Sequence, residues 1–162
     1  MILEYERLIL RWNMQDKGVA KEDRKPIWIY LCNYGGSADM MWSFVDMIQA
    51  SQTPIYTVNM GQCASAAGII FIAGHKRFMM PRATLMIHKG AAQFAGDGQK
   101  ILDQADSYKK DLKKMRDFVT EHTSIPSRTL SSKQNNDWEI DSQYCLEHNV
   151  CDVIVSSLDD II

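Results

Sequence analysis

The 162 residues are 46% hydrophobic and 23% charged, with a formal net charge of −2. That balance suits one folded domain and argues against disordered, fibrous and strongly basic nucleic-acid-binding classes. No apolar run reaches the roughly 18 residues needed to cross a bilayer, and the opening MILEYERLIL interleaves charges with apolar residues instead of forming a secretory core. A cytoplasmic protein that touches neither membrane nor nucleic acid is expected.

Residues 2–14 place Ile2, Tyr5, Leu8, Ile9 and Trp12 at helical spacing, which predicts an amphipathic helix. QDKGVAKEDRKP then breaks the pattern and reads as a loop. IWIYLCN, Ile27 to Asn33, is a continuous β-rich run of the buried parallel-strand type, closed by the tight turn YGGS. ADMMWSFVDMIQAS sets Met41, Phe44, Val45 and Ile48 on one helical face. After Pro54, IYTVNM predicts a second strand, and the small-residue segment from Ala64 to about Ala73 a second buried helix. RFMMP and TLMIHKG predict two more short strands. Strand and helix alternate with short connections, so parallel βαβ units are expected.

The rest has another character. AAQFAGDGQ is broken by Gly96 and Gly98. Lys100 to Thr123 then carries Ile101, Leu102, Ala105, Tyr108, Leu112, Met115 and Val119 near one stripe. Such a helix would run roughly 35 Å at 1.5 Å per residue, long for a domain of this size, and oligomerisation is the expected use of its surface. A short helix and a final strand are predicted in DSQYCLEHNVCDVIVSSL.

Cys32, Cys63, Cys145 and Cys151 form no CxxC pair and lie in or beside apolar stretches. They are read as buried free thiols. The remaining histidines, His75, His122 and His148, have no zinc-like spacing and are read as structural or exposed. No metal or cofactor is expected.

The segment MGQCASAAG raises a sharper possibility. A serine between a strand and a helix start is near free N–H groups and the positive end of a helix dipole. A serine is a poor nucleophile unless a histidine takes its proton and backbone donors receive the oxyanion. His88 ends a predicted strand, and Gly35–Gly36 follow another, so both can reach the strand ends where Ser65 lies. On residues alone the plainer alternative, a helix-capping serine and a strand-end histidine, stays open.

YGGS, MGQCASAAG, KRFMMP and LMIHKG occur in an order and spacing that resemble the proteolytic subunit of the Clp protease family, and the likeness extends over about residues 27 to 155. It implies an α/β Clp/crotonase-like fold: βαβ units around a parallel sheet, with a protruding handle strand and long helix at about residues 90–123, all in one domain spanning 1–162. The family's activity would be serine-type peptide hydrolysis in a ring-shaped chamber. Ser65 matches the nucleophile, His88 the base, and Asp137 in KQNNDWEID the acid, with Asp141 as runner-up. The backbone N–H groups of Gly36 and Ala66 match the oxyanion donors. Gly35, Gly36, Ser37, Gly90 and Ala91 match the substrate-binding segments, between which an extended peptide would add as a strand. The implied partners are a peptide or unfolded-protein substrate, further copies in a heptameric ring that can stack on a second ring, and a Clp-type unfoldase ATPase.

Several positions depart from the family. Tyr34 replaces a proline, Ala66 a methionine, and Lys89–Gly90 a Gln-Pro pair. Asn135–Asn136 stand where an Asp-Arg pair links two rings. The family's N-terminal strand and axial loops have no counterpart, which puts docking of the ATPase in doubt. Two other readings are a catalytically idle ring subunit paired with an active paralogue, and a crotonase-type acyl-CoA enzyme on the same superfold.

Overall fold

The computed structural model describes residues 2–162 and builds a six-stranded mixed sheet around one long central strand. Helix α1 (Ile2–Gln15) comes first; strands β1 (Ile27–Asn33) and β2 (Ile55–Ala64) are parallel and joined by helix α2 (Ala38–Ala50). Along β2, β1 pairs from Ile27↔Ile55 to Asn33↔Cys63. On the opposite edge two strands share its length. β3 (Lys76–Met79) pairs with Tyr56–Asn59, and β4 (Thr84–Ile87) with Gln62–Ala64, both parallel. Helix α3 (Ala66–Ile72) connects β2 to β3. The expected parallel βαβ alternation is what forms.

The long helix α4 (Gly98–His122) is followed by α5 (Ser127–Lys133), β5 (Trp138–Asp141), α6 (Ser142–Glu147) and β6 (Val153–Ile154). β5 is antiparallel to β4, and β6 is parallel to β3. The final strand was expected; α5 and β5 were not.

The main apolar cluster lies where α2 and α3 pack on the sheet. Met41, Phe44, Val45 and Ile48 of α2 all face inward, and every residue of α3 is buried. Burial of each such aliphatic or aromatic side chain contributes about 1.5–3 kcal/mol. A smaller cluster joins Val58, Phe78, Val155 and Ile161, bordered by Trp28 and Tyr56.

Helix α1 departs from its expected face. Only Ile9 of its predicted apolar stripe is buried, while Tyr5, Leu8 and Trp12 are exposed; the side chain of Ile2 lies outside the described ones. The helix is seated through polar groups instead. Glu6 accepts a bond from the Ser43 hydroxyl at 2.7 Å, Asn13 takes the N–H groups of Gln52 and Thr53, and Asp16 accepts from the Thr53 hydroxyl. Buried polar atoms need such partners, and meeting that need turns the apolar residues outward.

Three further expectations are corrected. β1 is not a fully buried strand: it is an edge strand, with Tyr30 and Cys32 exposed, and the Tyr30 hydroxyl donates to the carbonyl of Ile161 at 2.6 Å. Cys32 is therefore not a buried thiol, unlike Cys63, Cys145 and Cys151. The handle strand does not form either. Residues 90–97 are a loop with positive φ at Gly90 and Gly96, because no neighbouring strand among the described residues supplies a ladder for them.

Candidate active site

The β2–β4 ladder does more than join two strands. After Ala64↔Met86 it closes with the Ser65 N–H donating to the Met86 carbonyl at 2.8 Å, which puts Ser65 beside the end of β4. His88 lies two residues beyond Met86, and its Nε2 is 2.8 Å from the Ser65 Oγ. β5 runs back along β4 with Ile87↔Trp138, so the residue before Trp138 falls opposite His88. That residue is Asp137, whose Oδ1 is 3.2 Å from His88 Nδ1. The short run WEID therefore positions the carboxylate through its antiparallel register.

Ser65 stands in the turn between strand and helix, with φ 55° and ψ −123°. β2 continues through Ala64 and α3 begins at Ala66, so the helix starts two residues later than the sequence suggested. The serine makes no side-chain cap to the helix, which removes the plainest structural use for it. A non-glycine residue in so sparsely populated a conformation costs about 1–3 kcal/mol, and such strain persists where the surroundings over-determine it. Here they do: the N–H is held by Met86, and the carbonyl accepts from Gly68 and Ile69.

The Gly35–Gly36 turn packs directly on this strained turn. Gly35 has φ +103°, and a Cβ there would sit 2.8 Å from the Ala64 carbonyl oxygen and 2.9 Å from the Ser65 Cβ. Only glycine meets both demands. The Asn33 side chain holds the turn by accepting the Gly35 N–H at 2.7 Å. The Gly36 N–H donates to no acceptor among the described residues, and Ala66, first in α3, has an N–H without a helical partner.

A cleft of about 460 Å³ opens over these groups. Of the expected site residues, Ser65, Ala66, His88, Gly36, Ser37, Gly90 and Ala91 all line it, whereas Gly35 lies against the Ser65 turn and is not part of the wall. The side chain of Asp137 is 73% exposed and that of His88 27%. Sequence reasoning did not assign the opposite wall, made by Met41 and Trp42 from α2 and Tyr108, Asp111, Leu112 and Met115 from α4. Its signal was the Tyr108–Leu112–Met115 stripe, whose spacing shows a common face but not what that face meets. A second hollow of about 530 Å³ shares Trp42 but contains neither Ser65, His88 nor Asp137.

Asp141, the runner-up carboxylate, is engaged elsewhere. It accepts the Tyr144 N–H at 2.8 Å and caps α6. Asn135 and Asn136 lie in the turn after α5, where the Asn135 side chain donates to the Ser132 carbonyl at 3.4 Å. His75 accepts the Ile55 N–H through Nδ1, and burial lowers its pKa below the ordinary imidazole value. His122 and His148 stack on Phe118 and Tyr144 of their own helical turns. Among the described residues, no three His, Cys, Asp or Glu side chains are grouped to hold a metal ion. Among the same residues no helix is long and apolar enough to cross a membrane.

The fold is thus a mostly parallel α/β sheet that gathers a serine, a histidine and an aspartate at the ends of neighbouring strands. Residues 19–157 match the Clp protease family. Over 139 residues, 85% of this chain and 70% of the relative, the sequence is 31% identical to the ATP-dependent Clp protease proteolytic subunit 2 of Treponema denticola. It is 26% identical over 139 residues, 85% of this chain and 71% of the relative, to the same-named subunit of Rhodococcus jostii. The ATP-dependent Clp protease proteolytic subunit 1 of Streptomyces avermitilis is 28% identical over 144 residues, 88% of this chain and 66% of that protein. The chain belongs to the Clp protease family, a family of peptidases.

Proposed function

We propose that this protein is a serine endopeptidase that cleaves peptides or unfolded chains, with Ser65 as nucleophile, His88 as general base and Asp137 as the carboxylate that orients it. The observation that carries this reading is that Ser65 Oγ lies 2.8 Å from His88 Nε2 while Asp137 Oδ1 lies 3.2 Å from His88 Nδ1 on the other side of the ring. In the first half of the reaction Ser65 Oγ attacks the scissile carbonyl carbon as its proton passes to His88 Nε2. The carboxylate of Asp137 holds the proton on Nδ1 and stabilises the imidazolium. The oxyanion accepts from the N–H groups of Gly36 and Ala66, the first without an acceptor among the described residues and the second without a helical partner. Collapse of the tetrahedral intermediate breaks the C–N bond, and His88 gives its proton to the departing amine. Water then attacks the acyl-enzyme by the same path in reverse.

The main-chain groups around Gly36–Ser37 and Gly90–Ala91 border the cleft, and an extended substrate held through its backbone fits there with broad sequence tolerance. The apolar side chains on the outside of α1 and the thin burial of α4 support assembly with further copies, as a ring enclosing the clefts. The names of the relatives add an ATP-dependent partnership, here proposed as delivery of unfolded chains by a Clp-type ATPase.

Fluorophosphonate labelling tests the chemistry. The wild-type chain is expected to take up one label, on Ser65, and to cleave fluorogenic peptides, and Ser65→Ala to do neither while keeping its fold. A wild-type protein that is folded and assembled yet neither labels nor cleaves would instead be an idle subunit.

A further inference from the structure

The residue after the proposed base is gripped from two sides. The Lys89 N–H donates to the carbonyl of Gln134, just past α5, at 3.0 Å. The Lys89 carbonyl faces the hydroxyl of Tyr108 on α4 at 3.2 Å, and the Gly90 carbonyl faces the same hydroxyl at 3.1 Å. Successive carbonyls of an extended strand point to opposite sides. Two neighbours converging on one hydroxyl require a sharp turn, and Gly90, at φ +76°, supplies it. A Cβ at Gly90 would meet nothing within 4 Å, so glycine is needed there for its backbone conformation and not for space.

Tyr108 also holds the far part of the same loop. Its ring packs edge-on against Phe94 at 5.9 Å between centroids, and one helical turn earlier Gln104 accepts the Ala95 N–H at 3.1 Å. The loop from Lys89 to Ala95 is therefore fastened to one face of α4 at three points, with Tyr108 making two of them. Lys89, Gly90, Ala91 and Tyr108 all line the cleft that contains Ser65. The main chain fastened in this way is one wall of the space where a substrate backbone lies.

We propose that Tyr108 is a positioning residue, which through its hydroxyl sets the main chain of Lys89 and Gly90 as the wall against which an extended substrate is bound. The inference rests on the serine-peptidase reading above and adds to it a residue that acts on substrate binding. A peptide long enough to run along the Gly90 wall depends on that wall being fixed; a substrate that occupies only the immediate neighbourhood of Ser65 depends on it less.

The test is steady-state kinetics of the assembled full chain, with an internally quenched decapeptide and a dipeptide amide as substrates. Tyr108→Phe keeps the ring against Phe94 and removes only the hydroxyl. It is expected to raise KM for the decapeptide about three- to tenfold, the worth of one hydrogen bond, with a smaller change in kcat and a clearly smaller KM change for the dipeptide. Gly90→Ala, which disfavours the turn itself, is expected to shift the decapeptide KM the same way. The double variant should be no worse than the more damaged single one, because both changes release one segment. An unmoved decapeptide KM, equal losses on both substrates, or strictly additive effects would overturn the assignment. Fluorophosphonate labelling keeps the two levels apart. If the wild type does not label, the serine-peptidase reading falls; if it labels and Tyr108→Phe leaves the decapeptide KM unmoved, only the role of Tyr108 falls.

Discussion

Helix α3 buries all seven of its residues, whereas α4 has 25 residues and buries only Val119. The first is wedged between the sheet and α2, and its small residues at Ala66, Ala67 and Gly68 let it lie close to the strands. The second is capped by Asp97 at its start and held near its end by Arg77, whose guanidinium donates to the His122 carbonyl at 2.8 Å. Between those ends its sides are largely open. The cleft is walled by both regions: Ser65 and Ala66 come from the tightly packed one, Tyr108 and Leu112 from the open one. One wall is fixed by the core and the other by a few surface hydrogen bonds. The proposed chemistry sits on the side fixed by the core, and the proposed substrate wall at Lys89 and Gly90 sits on the side held by surface hydrogen bonds.

The strongest way to break that division is on the rigid wall. Ser65→Ala should abolish peptide cleavage, and His88→Ala should lower kcat by several orders of magnitude, each without a matching loss of fold. Asp137→Asn should follow, with a drop of about 10²- to 10⁴-fold in kcat through loss of imidazole orientation. Asp141→Asn should change activity little and stability less than about 0.5 kcal/mol, because asparagine is an equally good helix cap. Peptidase assays on the four purified variants give the ranking, and a larger loss from Asp141→Asn would show that the wrong carboxylate has been placed in the series.

Stability should divide along the same line. Phe71→Ala in α3 empties a fully buried site and should cost about 3–5 kcal/mol. Leu102→Ala on α4, where the leucine is 61% exposed, should stay within about 0.5 kcal/mol in the isolated subunit. Urea titration under dissociating conditions measures both. A cost above about 1.5 kcal/mol for Leu102→Ala only in the assembled protein would show that α4 is completed by another copy.

The hold of Arg77, on β3, on the end of α4 depends on a partner that is sensitive to acid. The guanidinium of Arg77 donates to Asp152 twice, at 2.8 and 3.0 Å, and the Arg77 main-chain N–H donates to the same carboxylate at 2.7 Å. Burial works against ionisation of Asp152, yet the hydrogen bonds and charge of Arg77 together outweigh it and hold the carboxyl below its ordinary value. Because the folded-state value is the lower one, the pair's stabilisation is fully present above the usual carboxylate range and is lost as pH falls through the depressed value. Arg77→Ala should cost about 1–3 kcal/mol near neutral pH, and the difference from wild type should shrink on acidification. Thermal melts across pH 3–7 follow it; a constant difference would mean that packing, and not charge, makes the tie.

The smallest effect expected is chemical. Burial, aided by the proximity of Cys32, pushes the Cys63 thiol up to about 12, and burial first among several causes pushes Cys151 up to about 11 and raises Cys145 as well. Native protein treated with iodoacetamide at neutral pH should take up one adduct, on Cys32, and four after denaturation. Mass spectrometry counts them, and modification of Cys63 in the native state would show that the β2 end of the core opens readily.

The alternation of strands and helices from Ile27 to Ile87 was legible because each run is apolar and long enough for its period to be read. For Ser65 and His88 the strand ends allowed a meeting but left a helix-capping serine open, and it was the resemblance carried by MGQCASAAG and LMIHKG that singled out the pair. β5 was not legible: four residues, two of them charged, bury only Ile140, and what makes WEID a strand is the free edge of β4. In the same way SRTLSSK forms α5 around the single buried Leu130, a contact that no local pattern announces. α1 misled in the opposite sense, since its apolar spacing was clear but the hydrogen bonds of buried Glu6 and half-buried Asn13 and Asp16 decided which side faces in. The strain at Ser65 and the turn at Gly90 are likewise consequences of neighbouring strands and helices that meet them only after folding.

The second apolar cluster has a bearing on synthesis. Val58 and Phe78 are made well before Val155 and Ile161, which cover them, and the Tyr30 hydroxyl waits for a carbonyl 131 residues further along. A chain growing from its first residue can build the α2–β2–α3 layer while β3 still has an unpaired edge and Phe78 is uncovered. Until residues 153–161 emerge, that edge can be taken by another unfinished chain. The segment that finishes the sheet thus also decides when the nascent protein stops being a hazard to its neighbours on the polysome.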